Sequence, residues 1–435
     1  MANSKKGEKL FSPYQVFIIA LLTFLQFTII LDFMVLSPLS AILLTKLQIT
    51  TAQFSLCVSA YAISAGVSGL LAAGFADKFD RKKMLVVFYT GFIIGTFLCA
   101  LAPDYHLLLM ARIVSGIFGG VIGSISFAII SDLFTPQVRG RVMGFVQMAF
   151  ASSQILGIPI GLYMANKLGW HSPFFLIASL SVLVYFVVIF KMKPVTEHLK
   201  IIRDKSPAQH LYHTITQKKY IRGFAATILL ATGGFMLMPF GSAFSVNNLG
   251  IQLDHLPMIY MITGITALIA GPVIGKLSDK TGKYNMFLAG TFITMVFVTV
   301  YCNLGITPIV WVIVLNSLLF VGITARIISA QALMMSVPDL ADRGAFMSIN
   351  SAVQQFAGGI AAGIAGLIVV QTDTGFIEHY DILGYVVVVA MIITAVMMYF
   401  INRYVTEKMR NVPPQFTGEK INQEKIEADA MEIPS

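Results

Sequence analysis

Charge is scarce in this sequence. Only 12% of its 435 residues are Asp, Glu, Lys or Arg, against about 25% in soluble domains. So little charge cannot cover a water-facing surface. With 57% hydrophobic residues and a mean hydropathy of +0.80, lipid is the expected solvent for the exterior. Cysteine is scarce as well. Cys57, Cys99 and Cys302 each fall in an apolar stretch, which implies no disulfide framework and no metal-ligand spacing. None of the seven histidines lies inside an apolar stretch, so no histidine proton relay or haem ligation is expected. A Gly-rich phosphate loop ending in Gly-Lys-Ser/Thr is missing, which argues against ATP-driven work by this chain alone.

What the chain has is apolar runs of membrane-crossing length. Twelve are read, at about 14–40, 51–75, 82–102, 106–132, 140–166, 172–192, 220–245, 256–276, 284–303, 307–335, 344–371 and 382–402. The expected fold class is an all-α membrane protein with two pseudo-symmetric six-helix bundles. The net charge of +9 does not indicate nucleic acid, because of where the charges sit. Of 30 Lys and Arg, Arg112 and Arg326 lie in apolar spans, and Lys46 and Lys167 follow odd-numbered spans. The other 26 gather at the N-terminus, at the loops after even-numbered spans and in the tail. That is the positive-inside pattern, with both termini cytoplasmic. Lys5, Lys6 and Lys9 precede the first run, but that run is too long for a signal peptide and reads as a first membrane helix.

The chain also repeats itself. Ala73-Gly74-Phe75-Ala76-Asp77-Lys78-Phe79-Asp80-Arg81-Lys82 is echoed by Gly275-Lys276-Leu277-Ser278-Asp279-Lys280-Thr281-Gly282-Lys283 at an offset of 202 from Asp77 to Asp279. Asp32-Phe33-Met34 resembles Gly234-Phe235-Met236, and Arg139-Gly140 resembles Arg343-Gly344, at offsets of 202 to 204. In membrane proteins such duplication suggests a transporter that rocks one half against the other. Residues 1–192 are expected to form an N-terminal bundle, 193–219 a cytoplasmic linker, 220–405 a C-terminal bundle and 406–435 a disordered tail.

These motifs resemble those of a twelve-helix member of the major facilitator superfamily. That family's loop between helices 2 and 3 reads Gly-x-x-x-Asp-Arg/Lys-x-Gly-Arg/Lys-Arg/Lys. Asp77, Lys78, Arg81 and Lys82 match, while Ala73 and Asp80 replace the two glycines. The second copy matches at Gly275, Asp279, Lys280, Gly282 and Lys283. Arg112 and Gly116 match the family's helix-4 pair. Gly157, Pro159 and Gly161 come close to the Gly-Pro-x-x-Gly-Gly pattern of the drug:proton antiporter branch, with Pro shifted by one and Leu162 in place of the last Gly. The chain is also similar to sequences labelled arabinose-efflux-permease-like. The resemblance implies a conformational latch at Asp77, Lys78, Arg81, Lys82, Arg139, Gly275, Asp279, Lys280, Gly282, Lys283 and Arg343. The plainer alternative is a pair of basic loops that only set orientation.

Asp32 is the one acid deep in an apolar span. A carboxylate there persists if it faces a partner or a water-filled cavity, or takes up a proton. Thr28 shares its face. The alternative is a polar network near a helix end. Arg112 needs an anion, and Asp32 is the obvious one; otherwise it snorkels to the headgroups. Arg326 has an apolar counterpart near Ile122 in the first half, and either contacts an anionic substrate group or snorkels. Gln147, Gln154, Asn316, Asn350 and Gln354 are candidates to line a substrate cavity, or else join helices.

The expected function is a proton-coupled secondary transporter of the inner membrane, exporting a small organic or amphipathic compound by alternating access. Asp32 would carry the proton and Arg112 would tune it. Proton-symport uptake of a nutrient or metallophore is the alternative, and a transporter-like sensor is a further one. No enzymatic role and no cofactor are expected. The partners would be the small-molecule substrate, protons and the bilayer, with no nucleic acid, and the chain would act as a monomer.

Overall fold

The structure is a computed structural model and describes residues 11–75, 78–200, 213–339 and 342–410. Among them are twelve helical segments long and apolar enough to cross a membrane: Pro13–Lys46, Thr51–Ala72, Arg81–Leu101, Tyr105–Leu133, Val138–Leu168, Ser172–Lys191, Lys218–Asn247, Leu253–Thr281, Lys283–Cys302, Ile309–Met334, Ala345–Ile368 and Tyr380–Lys408. They are spans 1 to 12 in chain order. The final helix runs on to Arg410. Between spans 11 and 12 a short antiparallel pair, Val370–Gln371 with Ile377–Glu378, turns the chain.

Local chemistry explains the ends and breaks. Span 1 opens on a capping box, in which Ser12 Oγ accepts from Gln15 N and Gln15 Oε1 accepts from Ser12 N, with Pro13 at the first helical position. Pro38 does not end the span. The helix stops at Val35, passes through a 3₁₀ turn at Ser37–Leu39 and resumes at Ser40–Lys46. Span 7 repeats the device, with a 3₁₀ turn at Met238–Phe240 around Pro239 and a resumed helix at Gly241–Asn247. A proline removes one backbone donor and crowds the preceding turn, so both spans bend there. Span 5 carries a π-turn at Ser153–Gly157 just before Pro159. The wider turn relieves the same crowding.

One end of the bundle carries Lys82, Arg139, Lys280 and Lys408; it is called the basic end. At the opposite end the buried apolar core runs without a break from one half to the other, through Val35, Leu39, Phe54, Phe240, Phe244 and Val369. Phe54 and Phe240 lie across that junction with ring centroids 6.0 Å apart. Toward the basic end the core divides. One cluster holds Ile18, Met84, Ile125 and Val188, and another Tyr220, Phe287, Leu333 and Met398.

Small residues set the contact between the halves. Along spans 2 and 11, Gly359 meets Ile63 and the Ser59 carbonyl, and Gly366 lies hard against Ser55 Oγ. Thr51 Oγ1 donates to the Val369 carbonyl at 2.6 Å. Spans 1 and 7 meet at Ser40 and Ser242, residues one repeat apart. Their hydroxyl oxygens are 3.1 Å apart. Each accepts from the backbone N–H that follows the other, Ala243 N to Ser40 Oγ at 3.2 Å and Ala41 N to Ser242 Oγ at 3.3 Å. Both serines are fully buried. A residue touching its own repeat counterpart lies on the internal two-fold axis.

Candidate functional site

Span 1 brings Asp32, and span 4 brings Arg112, into one enclosed spot in the first half. Both side chains have 0% exposure. Arg112 Nη1 donates to Asp32 Oδ2 at 2.9 Å and to the Asp32 carbonyl at 3.0 Å. The guanidinium lies over the Tyr61 ring, 4.3 Å from its centroid, an arrangement that favours a cation in an apolar setting. Thr96 stands beside the carboxyl, and Cys57 and Cys99 lie close to the guanidinium. Asp32 Oδ1 and Arg112 Nε and Nη2 make no hydrogen bond. The pair is therefore held at one corner only. A buried, partly satisfied ion pair is a poor way to stabilise a core, but it suits a group that changes charge.

Glycine makes this approach feasible. A Cβ at Gly116 would overlap Ser64 Oγ and come within 2.6 Å of the Tyr61 carbonyl, and one at Gly120 would overlap the Ala65 carbonyl. Gly116 thus lets span 2 lay Tyr61 across Arg112. Gly116→Ala is expected to force the two helices apart and lower stability by about 1–3 kcal/mol, the usual range for overpacking. Thermal unfolding of the purified protein checks it; an unchanged midpoint would contradict the contact. From span 5, Gly157 and Gly161 face Leu31 and Val35, which flank Asp32 along span 1. Ser153 Oγ also donates to the Phe27 carbonyl at 3.3 Å.

The charged pair connects to the second half through aromatic rings. Phe33 lies 5.3 Å from Tyr61 and 5.8 Å from Phe235 of span 7, centroid to centroid. Phe235 packs against Gly358 of span 11. Sequence reasoning does not single out Tyr61, Thr96 or Cys99. The signal in the chain is weak: Cys57 and Tyr61 share a face of span 2 at a spacing of four, and Thr96 and Cys99 one of span 3 at a spacing of three.

The other sequence candidates are scattered. Thr28 does not join Asp32; its hydroxyl is buried, donates to the Leu25 carbonyl and lies 3.0 Å from Tyr89 OH. Asn350 accepts from Thr227 Oγ1 at 2.6 Å. Asn316, the repeat counterpart of Arg112, reaches Tyr301 OH at 3.4 Å, and that hydroxyl meets Ser245 Oγ at 3.0 Å. Gln154 is half-buried beside span 8, while Gln147 and Gln354 are exposed. Arg326 is buried and has neither an ion pair nor a hydrogen bond at Nε or Nη2 among the described residues.

At the basic end, Asp77 lies outside the described residues, as does the side chain of Arg343. Arg81 Nε pairs with Asp132 at 3.0 Å, and His198 Nδ1 lies 3.2 Å from the same carboxylate oxygen. Asp80 accepts from Lys82 N and Val195 N, and Lys82 Nζ donates to the Ile189 carbonyl. This ties the loop between spans 2 and 3 to the segment after span 6. Arg139 donates to the Phe134 and Ser131 carbonyls at the end of span 4. Lys78, Asp279 and Lys280 are exposed, Lys283 is half-exposed, and Gly275 has open space around it. No ion pair joins the two loop copies among the described residues. Gly282, with φ +92°, turns the chain from span 8 into span 9 in a conformation that favours glycine. Asp339 holds the start of span 7 and the end of span 12 together, pairing with Lys219 at 2.6 Å and Lys408 at 2.8 Å. Those hydrogen bonds, Lys219 first, bring its carboxyl down to about 2.

The Major Facilitator Superfamily model matches residues 22–362 and again 223–421. An uncharacterised MFS-type transporter of Bacillus subtilis, YbcL, is 25% identical over 87% of this chain and 94% of its own. A probable sugar efflux transporter of Helicobacter pylori is 22% identical over the same shares of the two chains. The putative transporter AraJ of Escherichia coli is 23% identical over 54% of this chain and 59% of its own. In fold, the structure is similar to a bacterial homologue of the human lysosomal transporter Spinster, solved inward-facing and unoccupied, with a TM-score of 0.75 over 92% of this chain and 99% of that one, at 14% identity. Repeat, spans and helix-4 arginine therefore have one common source: this twelve-span chain belongs to the Major Facilitator Superfamily.

Proposed function

We propose that this transporter is a proton-coupled exporter of a small organic or amphipathic compound, working by alternating access, with the basic end cytoplasmic and the chain in a bacterial inner membrane. The observation that carries the reading is the Asp32–Arg112 pair, fully buried and held through one carboxylate oxygen only. Without a phosphate-binding loop, uphill transport by this chain would draw on an ion gradient. A proton taken up by Asp32 would cancel its charge and loosen its hold on Nη1. Arg112 would then shift against Tyr61, and the contact would pass through Phe33 to Phe235 and the second half. The core is continuous at one end and divided at the other, as expected of a state closed outside and parted inside. Residues 1–192 and 220–405 would be the two rocking bundles, and the charged loops would latch the opposite state.

Proton-symport uptake is the second reading, favoured by the departure of Gly157-Ile158-Pro159-Ile160-Gly161 from the antiporter pattern. One experiment separates them. The protein is placed in liposomes holding a pH-sensitive dye, and compounds are added outside. Lumenal alkalinisation on addition of a compound is the expected result and marks antiport. Acidification marks symport, and silence from folded protein would overturn proton coupling.

A further inference from the structure

Arg112 and Arg326 are both buried within membrane spans, and their surroundings differ. Arg112 has Asp32. Arg326, in span 10, is 4% exposed and faces no acid. Among the described residues, the acids of the second half sit in loops or at span ends: Asp254, Asp279, Asp339, Asp342, Asp373, Glu378, Asp381 and Glu407. The Arg326 guanidinium instead has an aromatic ring as a neighbour. Its centre is 5.8 Å from the Phe287 ring of span 9. Nη1 lies 3.6 Å from where a Cβ on Gly233 of span 7 would sit, a position that Met391 and Val387 of span 12 also approach. Nε and Nη2 make no hydrogen bond. Those two donors form one edge of a guanidinium, the edge that meets both oxygens of a carboxylate in a bidentate pair.

The fold does not require this charge. One repeat earlier the position is Ile122, also fully buried. A buried cation without an anion costs several kcal/mol, and a charge inside a span is by default a functional group. We infer that Arg326 anchors the carboxylate of an organic substrate, whose apolar body lies against the neighbouring apolar side chains. An inorganic anion fits less well, since the ring that faces the guanidinium, Phe287, offers no hydrogen bond to replace the rest of its hydration shell. The assignment deepens the transporter reading above and rests on it, but not on its proton coupling.

The test is a binding measurement on the full chain in uncharged detergent. Benzoate, naphthoate and octanoate are each compared with their uncharged amides, and with chloride and sulfate, by ligand-induced shifts in unfolding temperature. At least one carboxylate is expected to stabilise the wild type where its amide does not. Arg326→Met should weaken that ligand by roughly tenfold or more, the scale of charge-assisted hydrogen bonds, and Arg326→Lys should weaken it less. Without ligand, Arg326→Met should be at least as stable as the wild type, since it removes an unpaired charge. The inference falls if no carboxylate outperforms its amide, if Arg326→Met binds undiminished, or if chloride or sulfate reproduces the shift. It also falls if Arg326→Met is less stable than the wild type and Arg326→Lys binds as tightly as the wild type. Arg326-dependent binding by a protein that moves no protons would leave the anchor standing and overturn the coupling instead.

Discussion

Asp32→Asn is expected to abolish proton-coupled transport while the protein still folds. The amide oxygen keeps an acceptor for Arg112 Nη1, which already bonds the residue-32 carbonyl as well. What is lost is the group proposed to take up and release a proton. Asp32→Ala should behave differently. It leaves the guanidinium buried without an anion, and breaking a buried pair in this way costs about 3–5 kcal/mol. The two variants therefore divide chemistry from stability. Proton flux in dye-loaded liposomes and thermal unfolding of the same preparations provide the readouts. An Asn variant that transports like the wild type would remove Asp32 from the mechanism. An Ala variant as stable as the wild type would contradict the enclosed geometry of the pair.

Joining Ser40 to Ser242 should stop transport altogether. The two hydroxyl oxygens are 3.1 Å apart on the internal two-fold axis, at the end where the apolar core is continuous. Alternating access requires that end to open in every cycle. Ser40→Cys with Ser242→Cys places two thiols at the junction, while Cys57, Cys99 and Cys302 are buried elsewhere and do not compete. Oxidation, or a short bifunctional thiol reagent, is expected to bring transport to background, and a reductant to restore it in the disulfide form. Each single variant should keep its transport under oxidant. Full transport by a preparation shown by mass to be completely cross-linked would mean that spans 1 and 7 do not separate there.

Much of this architecture is legible in the chain itself. Lipid enforces apolar runs of about twenty residues, because every backbone polar group must be satisfied within its own helix. Span number, the repeat and the helix-4 arginine therefore stand in the sequence. The pairing of Asp32 with Arg112 is legible too, since a buried cation needs an anion and only one acid lies deep within a span. Hydropathy ends span 1 near residue 40; the helix reaches Lys46, because the turn at Pro38 bends it without ending it. Helical spacing puts Thr28 beside Asp32, but Tyr89 from span 3 takes its hydroxyl. The family motif makes Arg139 a candidate for the latch; in this structure its Nε and Nη2 donate to carbonyls at the end of span 4, a contact that the motif does not announce.

The sequence alone thus decided the membrane class, the twofold repeat and which residues carry charge in the spans. Those are properties of single helices and of the solvent around them, and hydropathy, spacing and charge sign report them directly. Tertiary structure alone decided that Tyr61 covers Arg112, that Ser40 meets Ser242, and that Arg326 meets no acid among the described residues. Each of these depends on how closely helices far apart in the chain approach one another. Small side chains such as Gly116 permit that approach, but the partner that moves in is set by the packing of the whole bundle.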